Sequence, residues 1–323
     1  MKMMLALLAL SLSLVCPGAS ADSGVGIRDI EMKGDYAVPL KLWYPSTAPS
    51  ETRQAGPYTV HATRDAPIAP GRHALILLSH GSGGGEFGHA DLAVALAQHG
   101  YIVATPRHLG DSYDHPEGRG SDVQLFGRPW QAKAALDAVL AAPDFKDAID
   151  PARIGMAGFS AGAYTTLVMA GAKPDFALHL AYCKAHPDDG DLCPDGADSR
   201  LRITRPGWQV PDDHRVRAAV VMAPLSVAFD ANAVKGVTIP IRLYKAETTR
   251  SCAIHGTPTT CWHCCRPRQN TAYYPAGTMS SSTPAATRCA RTRPTSGARC
   301  RLAMRTASPT CPSSSSPRSP RTA

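Results

Sequence analysis

The chain has 323 residues, 44% of them hydrophobic and 19% charged, which is enough for a sizeable core and argues against a wholly disordered protein. Its formal charge of +8 points to an acidic partner, but all 26 acidic residues lie at or before Glu247 and 11 of the 34 basic residues lie after it. Residues 1–247 therefore carry 23 positive against 26 negative side chains, a net of −3, with no basic stripe interleaved with aromatics, and a nucleic-acid partner has little support.

Residues 1–21 read as a secretory signal. Lys2 supplies the positive start, Leu5 to Val15 the short apolar core, and Ala19-Ser20-Ala21 the small-residue cleavage site before Asp22. The apolar run is too short to span a bilayer. Val15 before Cys16 is not the small residue usual in a lipoprotein signal, so cleavage is expected after Ala21, leaving a periplasmic or secreted protein. Strands are then expected over 27–32 and 38–44, as an antiparallel ribbon, followed by a polar Pro/Thr/Ala loop to Arg72.

From residue 74 strands and helices alternate. Strand 74–78 precedes helix 87–99, and strand 101–105 precedes a long loop. Helix 130–141, strand 153–157, helix 161–172 and strands 216–222 and 239–244 follow. This order predicts an α/β fold, a mostly parallel sheet covered by helices on both faces, with the ligand site outside the carboxyl ends of the strands. Residues 174–214 are too long for a plain crossover and read as a lid insertion. Cys183 and Cys193, the only cysteines between the signal and Glu247, are expected to form a disulfide there, as an oxidising compartment allows.

Two motifs sit at the ends of predicted strands. His80-Gly81-Ser82-Gly83-Gly84-Gly85 follows Ala74-Leu75-Ile76-Leu77-Leu78, and Gly158-Phe159-Ser160-Ala161-Gly162 follows Arg153-Ile154-Gly155-Met156-Ala157. A bare G-x-S-x-G is a weak signal. Here a strand precedes each motif, a helix follows, and the Gly-rich turn comes first in the chain, which is the layout of a serine esterase. Ser160 is the candidate nucleophile, and the backbone N–H groups of Ser82 and Ala161 are the candidate oxyanion donors. His80 lies inside the motif that shapes the oxyanion loop and reads as structural rather than as the general base.

These motifs, together with Leu42-Trp43-Tyr44-Pro45, Asp150-Pro151-Ala152-Arg153-Ile154-Gly155, Ala181-Tyr182-Cys183 and Ile239-Pro240-Ile241-Arg242, give a chain that resembles the dienelactone-hydrolase-like α/β-hydrolases related to platelet-activating-factor acetylhydrolases. The resemblance covers about residues 25–247. It implies the α/β-hydrolase fold and hydrolysis of a small-molecule carboxylic ester, short-acyl or lipid-like, through an acyl-enzyme, with no metal and no organic cofactor. Dienelactone hydrolases proper carry Cys where this chain has Ser160, which moves the expectation towards ordinary carboxylic esters.

The pattern stops after residue 247. The chain order Ser, acid, His requires a late acid and a later His. Glu247 is the last acid and the only candidate for that role, and no base is identifiable. Residues 248–323 contain no Asp, Glu, Lys, Val or Phe, and only Ile254 and Leu302 among the branched aliphatics, so a disordered tail is expected, without the elements that close the fold. A reading-frame error accounts for this composition. With GC-rich codons, Cys261-Trp262-His263-Cys264-Cys265 read from its third base spells Leu-Ala-Leu-Leu, and the codons from the third base of Tyr274 spell Pro-Gly-Gly-His-Tyr. On this reading His255 and His263 are accidents of frame. Two rival readings are a zinc module on Cys252, His255, Cys261, His263, Cys264 and Cys265, which lacks a second matched pair before Cys289, and a non-catalytic binding protein on an inherited scaffold.

Overall fold

The structure, a computed structural model, describes residues 24–246 and 270–274. The expected signal at 1–21, Glu247, and the His and Cys residues from Cys252 onward lie outside the described residues. Gly24–Ile30 (β1) and Leu40–Ser46 (β2) pair antiparallel, with Ile27 opposite Trp43. Leu40, Leu42 and Tyr44 join one core and Trp43 joins the core on the other face, so β2 reads as a near-continuous apolar run rather than an alternating one.

The loop expected up to Arg72 contains strands. Thr52–Ala55 (β3) and Tyr58–His61 (β4) form a separate two-stranded sheet, and Thr63–Arg64 (β5) runs parallel beside β1. Thr, Tyr and Val favour the extended backbone, and Gly56 at φ 59° makes the reversal between β3 and β4 possible.

The alternating part follows as His73–Ser79 (β6), Ala90–Gln98 (α1), Ile102–Pro106 (β7), Asp122–Leu125 (α2), Gly127–Ala141 (α3), Ile149–Phe159 (β8), Ala161–Met169 (α4), Ala177–Ala185 (α5), Ala218–Met222 (β9) and Ile241–Ala246 (β10). α3 begins before the expected residue 130 because Pro129, which lacks an N–H, fits a first helical turn. β8 begins before 153 and opposes β6 with an irregularity: Ala74 faces Asp150 but Leu75 faces Ile154. Pro151 in the skipped stretch has no ladder donor to lose.

Asn270–Tyr274 (β11) corrects the expectation that the tail builds no strand, for it pairs parallel with β10, Arg242 opposite Asn270 and Ala246 opposite Tyr274. The count of branched aliphatics overlooked Thr271, Tyr273 and Tyr274, which are themselves strand formers.

The sheet runs β11-β10-β9-β8-β6-β7-β2-β1-β5, parallel from β11 to β7 and antiparallel on both sides of β2. α1 packs on one face with Trp43, Leu78 and Val103, while α3 and α4 pack on the other against Leu75, Leu77 and Val221. The chain leaves β6 towards β7 and leaves β8 towards β9, so the connections diverge between the carboxyl ends of β6 and β8. Such a divergence opens a crevice. Both glycine motifs begin there.

On the face that carries α1, no described helix covers β8, β9 and β10. Ile76, Val220, Met222 and Tyr244 with Leu92 and Leu96 of α1 line an apolar hollow of about 730 Å³. Among the described residues no helix is long and apolar enough to cross a membrane.

Candidate active site

The elbow at Ser160 is a steric consequence of its neighbours. Ser160 stands between β8 and α4 at φ 54° and ψ −115°, a region closed to most non-glycine residues. Its N–H donates to the Met222 carbonyl at 3.0 Å, and its carbonyl accepts from Tyr164 N at 3.0 Å and Leu225 N at 3.1 Å, so the strained backbone is held from both sides. A Cβ on Gly158 would lie 2.2 Å from the Gly162 carbonyl oxygen, and one on Gly162 would lie 2.0 Å from that of Ser79. Only hydrogen fits at either position, and α4 thereby starts directly against the end of β6.

The backbone N–H groups of Ser82 and Ala161 donate to no carbonyl among the described residues. Ser82, Ser160 and Ala161 line one cavity of about 770 Å³. An ester carbonyl placed there meets a hydroxyl nucleophile and two unpaired N–H donors, one at the first turn of a helix, whose dipole also favours negative charge.

The loop that presents Ser82 is tied down by buried polar groups. Arg128 of α3 is fully buried, and its guanidinium donates to Asp111 Oδ2 at 2.6 Å, Ser79 Oγ at 3.1 Å, Thr165 Oγ1 at 3.2 Å and the His80 carbonyl. Asp111 in turn accepts from the Ser82 hydroxyl, and its carbonyl accepts from Gly83 N at 3.0 Å.

His80 is not free to act as a base. Its Nε2 accepts from the backbone N–H of His108 at 3.0 Å, which obliges Nδ1 to carry the proton and donate to the Gly81 carbonyl at 2.7 Å. Burial first, and then the nearby Arg128 charge, lower its pKa to about 3. His108 is equally occupied, with Nδ1 to Gln131 Oε1 at 3.0 Å and Nε2 to Ser79 Oγ at 2.9 Å, and burial followed by Arg128 pushes its pKa well below the ordinary value. Ser160 Oγ makes no hydrogen bond to a described residue. Glu247, read as the candidate acid, lies outside the described residues.

From residues 174–214, Phe176, His179, Leu192 and Leu201 line the cavity. Cys183 of α5 and Cys193 are joined by a disulfide with Cα atoms 5.5 Å apart. His179, Cys183 and Cys193 cluster within 4.8 Å, yet the two sulfurs are bonded to each other and His179 Nε2 is engaged with the Leu192 carbonyl at 2.9 Å, so the group does not fit a metal in this state. Arg119, Arg200 and Arg202 line the cavity together with Asp191 and Asp195, so its charged lining is of mixed sign.

Ser160, Ser82 and Ala161, singled out in the sequence, line one cavity, while Arg128, Asp111, His108 and Thr165 were not singled out there. An arginine followed by proline at the start of a helix that otherwise buries alanine and leucine was the available signal for Arg128.

No protein-family model matches the chain, and no curated protein matches it. Among solved structures, a ferulic acid esterase from Streptomyces cinnamoneus is similar at a TM-score of 0.50 and 18% identity, covering 80% of this chain and 74% of that one. The likeness is one of fold, and the chain has the α/β-hydrolase fold.

Proposed function

We propose that this protein is a serine hydrolase of carboxylic esters, of the dienelactone-hydrolase-like group, working through an acyl-enzyme on Ser160. The observation that carries the reading is the Ser160 elbow at φ 54°, set in the same cavity as the unpaired N–H groups of Ser82 and Ala161. The esterase named among its structural neighbours supports ester cleavage as the reaction class. In the proposed mechanism Ser160 Oγ attacks the ester carbonyl, and the Ser82 and Ala161 N–H groups hold the oxyanion of the tetrahedral intermediate. The alcohol leaves, and water then releases the acid from Ser160.

The base belongs after the last strand. The shifted frame replaces residues 270–274 as well, and its Pro-Gly-Gly-His-Tyr begins at the codon where β11 now ends, so a strand kept at this point of the chain would carry a histidine in the loop at its carboxyl end. The chain with residues 248–323 in their present frame is therefore expected to turn over esters poorly. The nucleotide sequence between the codons of Tyr244 and Met279 tests the frame directly. The disulfide between Cys183 and Cys193 supports a periplasmic or secreted location, and residues 174–214 are read as the lid.

The deciding experiment is turnover of short p-nitrophenyl esters and labelling by a fluorophosphonate, in the present chain and in one with the frame restored. Labelling and turnover that vanish in Ser160→Ala support the proposal. Turnover in the frame-restored protein that survives Ser160→Ala removes Ser160 from the mechanism.

A further inference from the structure

The two proposed oxyanion donors come from different parts of the chain, Ser82 after β6 and Ala161 at the start of α4, and their spacing decides whether both can reach one oxygen. A single buried guanidinium touches the supports of both. On the Ser82 side, Arg128 Nη1 donates to Asp111 Oδ2 at 2.6 Å, Asp111 Oδ1 accepts from the Ser82 hydroxyl, and the Asp111 carbonyl accepts from Gly83 N. The guanidinium also donates to the His80 carbonyl and to Ser79 Oγ, so it holds the loop from Ser79 to Gly83 at several points. On the α4 side, Arg128 Nε donates to Thr165 Oγ1 at 3.2 Å, and that hydroxyl donates onward to the Ala161 carbonyl at 2.9 Å.

We infer that the Arg128–Asp111 pair is a positioning element that sets the distance between the Ser82 and Ala161 N–H groups. The inference rests on the function proposed above.

Neither side chain reaches the solvent, and both are 0% exposed. A fully buried ion pair is a poor device for stability alone, because apolar side chains of similar volume commonly serve as well. What apolar side chains cannot supply is five donors in a rigid plane, directed at four acceptors on three segments of the chain. Asp111 is also approached by Arg119 Nε at 3.4 Å, and Gln124 Nε2 donates to the Ser82 hydroxyl at 3.2 Å, so the carboxylate end is clamped from a second direction. The placement before α4 of a loop so closely tied to α3 is a form of preorganisation, in which the donors wait in the geometry the oxyanion will need.

Two substitutions test this without removing Arg128. Thr165→Val deletes the relay to Ala161, and Asp111→Asn weakens the grip on Ser82 while keeping the shape of the side chain. The backbone amide resonances of Ser82, Gly83 and Ala161 are followed in the full chain, with the affinity for phenylboronic acid, which adds to a serine as a tetrahedral anion. The expected result is that Thr165→Val displaces the Ser82 and Gly83 amides, that Asp111→Asn displaces the Ala161 amide, and that each weakens the boronate about tenfold. Amide changes confined to the substituted side, with boronate affinity unaltered in either variant, would overturn the inference. If Asp111→Asn does not fold, Thr165→Val decides alone through the Ser82 and Gly83 amides. A frame-restored chain that neither binds the boronate nor takes the fluorophosphonate label would count against the proposed function, while the amide displacements would still read the positioning role.

Discussion

A methyl group placed on Gly162 would lie 2.0 Å from the carbonyl oxygen of Ser79, a separation that real side chains do not tolerate. The contact is between backbones, so no rotamer change relieves it, and α4 would have to move away from β6. Gly162→Ala is expected to destabilise the fold by about 3 kcal/mol, at the upper end for overpacking, and to weaken labelling of Ser160 as the elbow shifts. Gly127→Ala is the control. There the added carbon meets Trp208 at an ordinary 3.5 Å, and the better helix propensity of alanine leaves stability level or raised by up to about 1 kcal/mol. Urea unfolding of the two variants separates them.

His80 predicts a particular acid sensitivity. Its pKa falls from an ordinary 6.5 to about 3 on folding, chiefly through burial, so between those values the unfolded chain binds the proton that the folded chain refuses. The contribution of the neutral ring is fully present above pH 6.5 and is lost progressively as the pH falls towards 3, on the order of a few kcal/mol in all. His108, shifted the same way, adds to the slope. Unfolding free energies measured across this range should decline towards acid, and His80→Gln should flatten the decline. An imidazole resonance of His80 that titrates near 6.5 in the folded protein would contradict the assignment.

The parts of the site that were legible in the sequence are those fixed by contacts between near neighbours. Gly158, Ser160 and Gly162 encode the elbow because each must be small for the turn to close, and the strand and helix around them announce themselves by period. Arg128 and Asp111 were not legible, for the acceptors around the Arg128 guanidinium lie 17 to 49 residues away from it and only the crossing of β6, α3 and α4 brings them together. The hairpin of β3 and β4 was missed because four-residue strands give too short an alternation to separate from a polar loop. β11 was missed for the related reason that composition was averaged over a long segment, which hid a five-residue run of strand formers.

The Cys183–Cys193 bridge closes a short loop, its cysteines 10 residues apart in sequence, beside the cavity-lining residues Leu192 and Pro194. Loop-closure entropy in the unfolded chain predicts about 3 kcal/mol of stabilisation for such a bridge. Both cysteines are buried against Tyr182 and Val227, so the double substitution Cys183→Ser, Cys193→Ser also leaves hydroxyls in an apolar pocket. Peptide mapping without reductant should find the two cysteine peptides joined, and the double variant should lose stability by at least the entropic amount. Separately alkylated thiols in exported protein would show that the bridge does not form there.

The open face of β8, β9 and β10 leads to the last prediction. Val220 and Met222 are only partly buried, and with Ile76 and Tyr244 they face a hollow of about 730 Å³ that no described helix covers. A monomer that leaves so apolar a sheet face open should associate with itself and bind hydrophobic dyes. The right-handed crossover from β9 to β10 packs with α4 on the opposite face, so it leaves the α1 face open. In their present frame residues 275–323 supply only Leu302 as a branched aliphatic, which is too little apolar surface to offset the roughly 1–2 kcal/mol of backbone entropy each ordered residue costs. The full chain is therefore expected to bind 8-anilinonaphthalene-1-sulfonate strongly and to sediment as more than a monomer. Val220→Lys, in the lining of the hollow on β9, should reduce both effects, and the frame-restored chain should reduce them further while gaining esterase activity. Dye binding and sedimentation that are the same in all three proteins would mean that this face is already covered, and that an open sheet face is not what limits the protein.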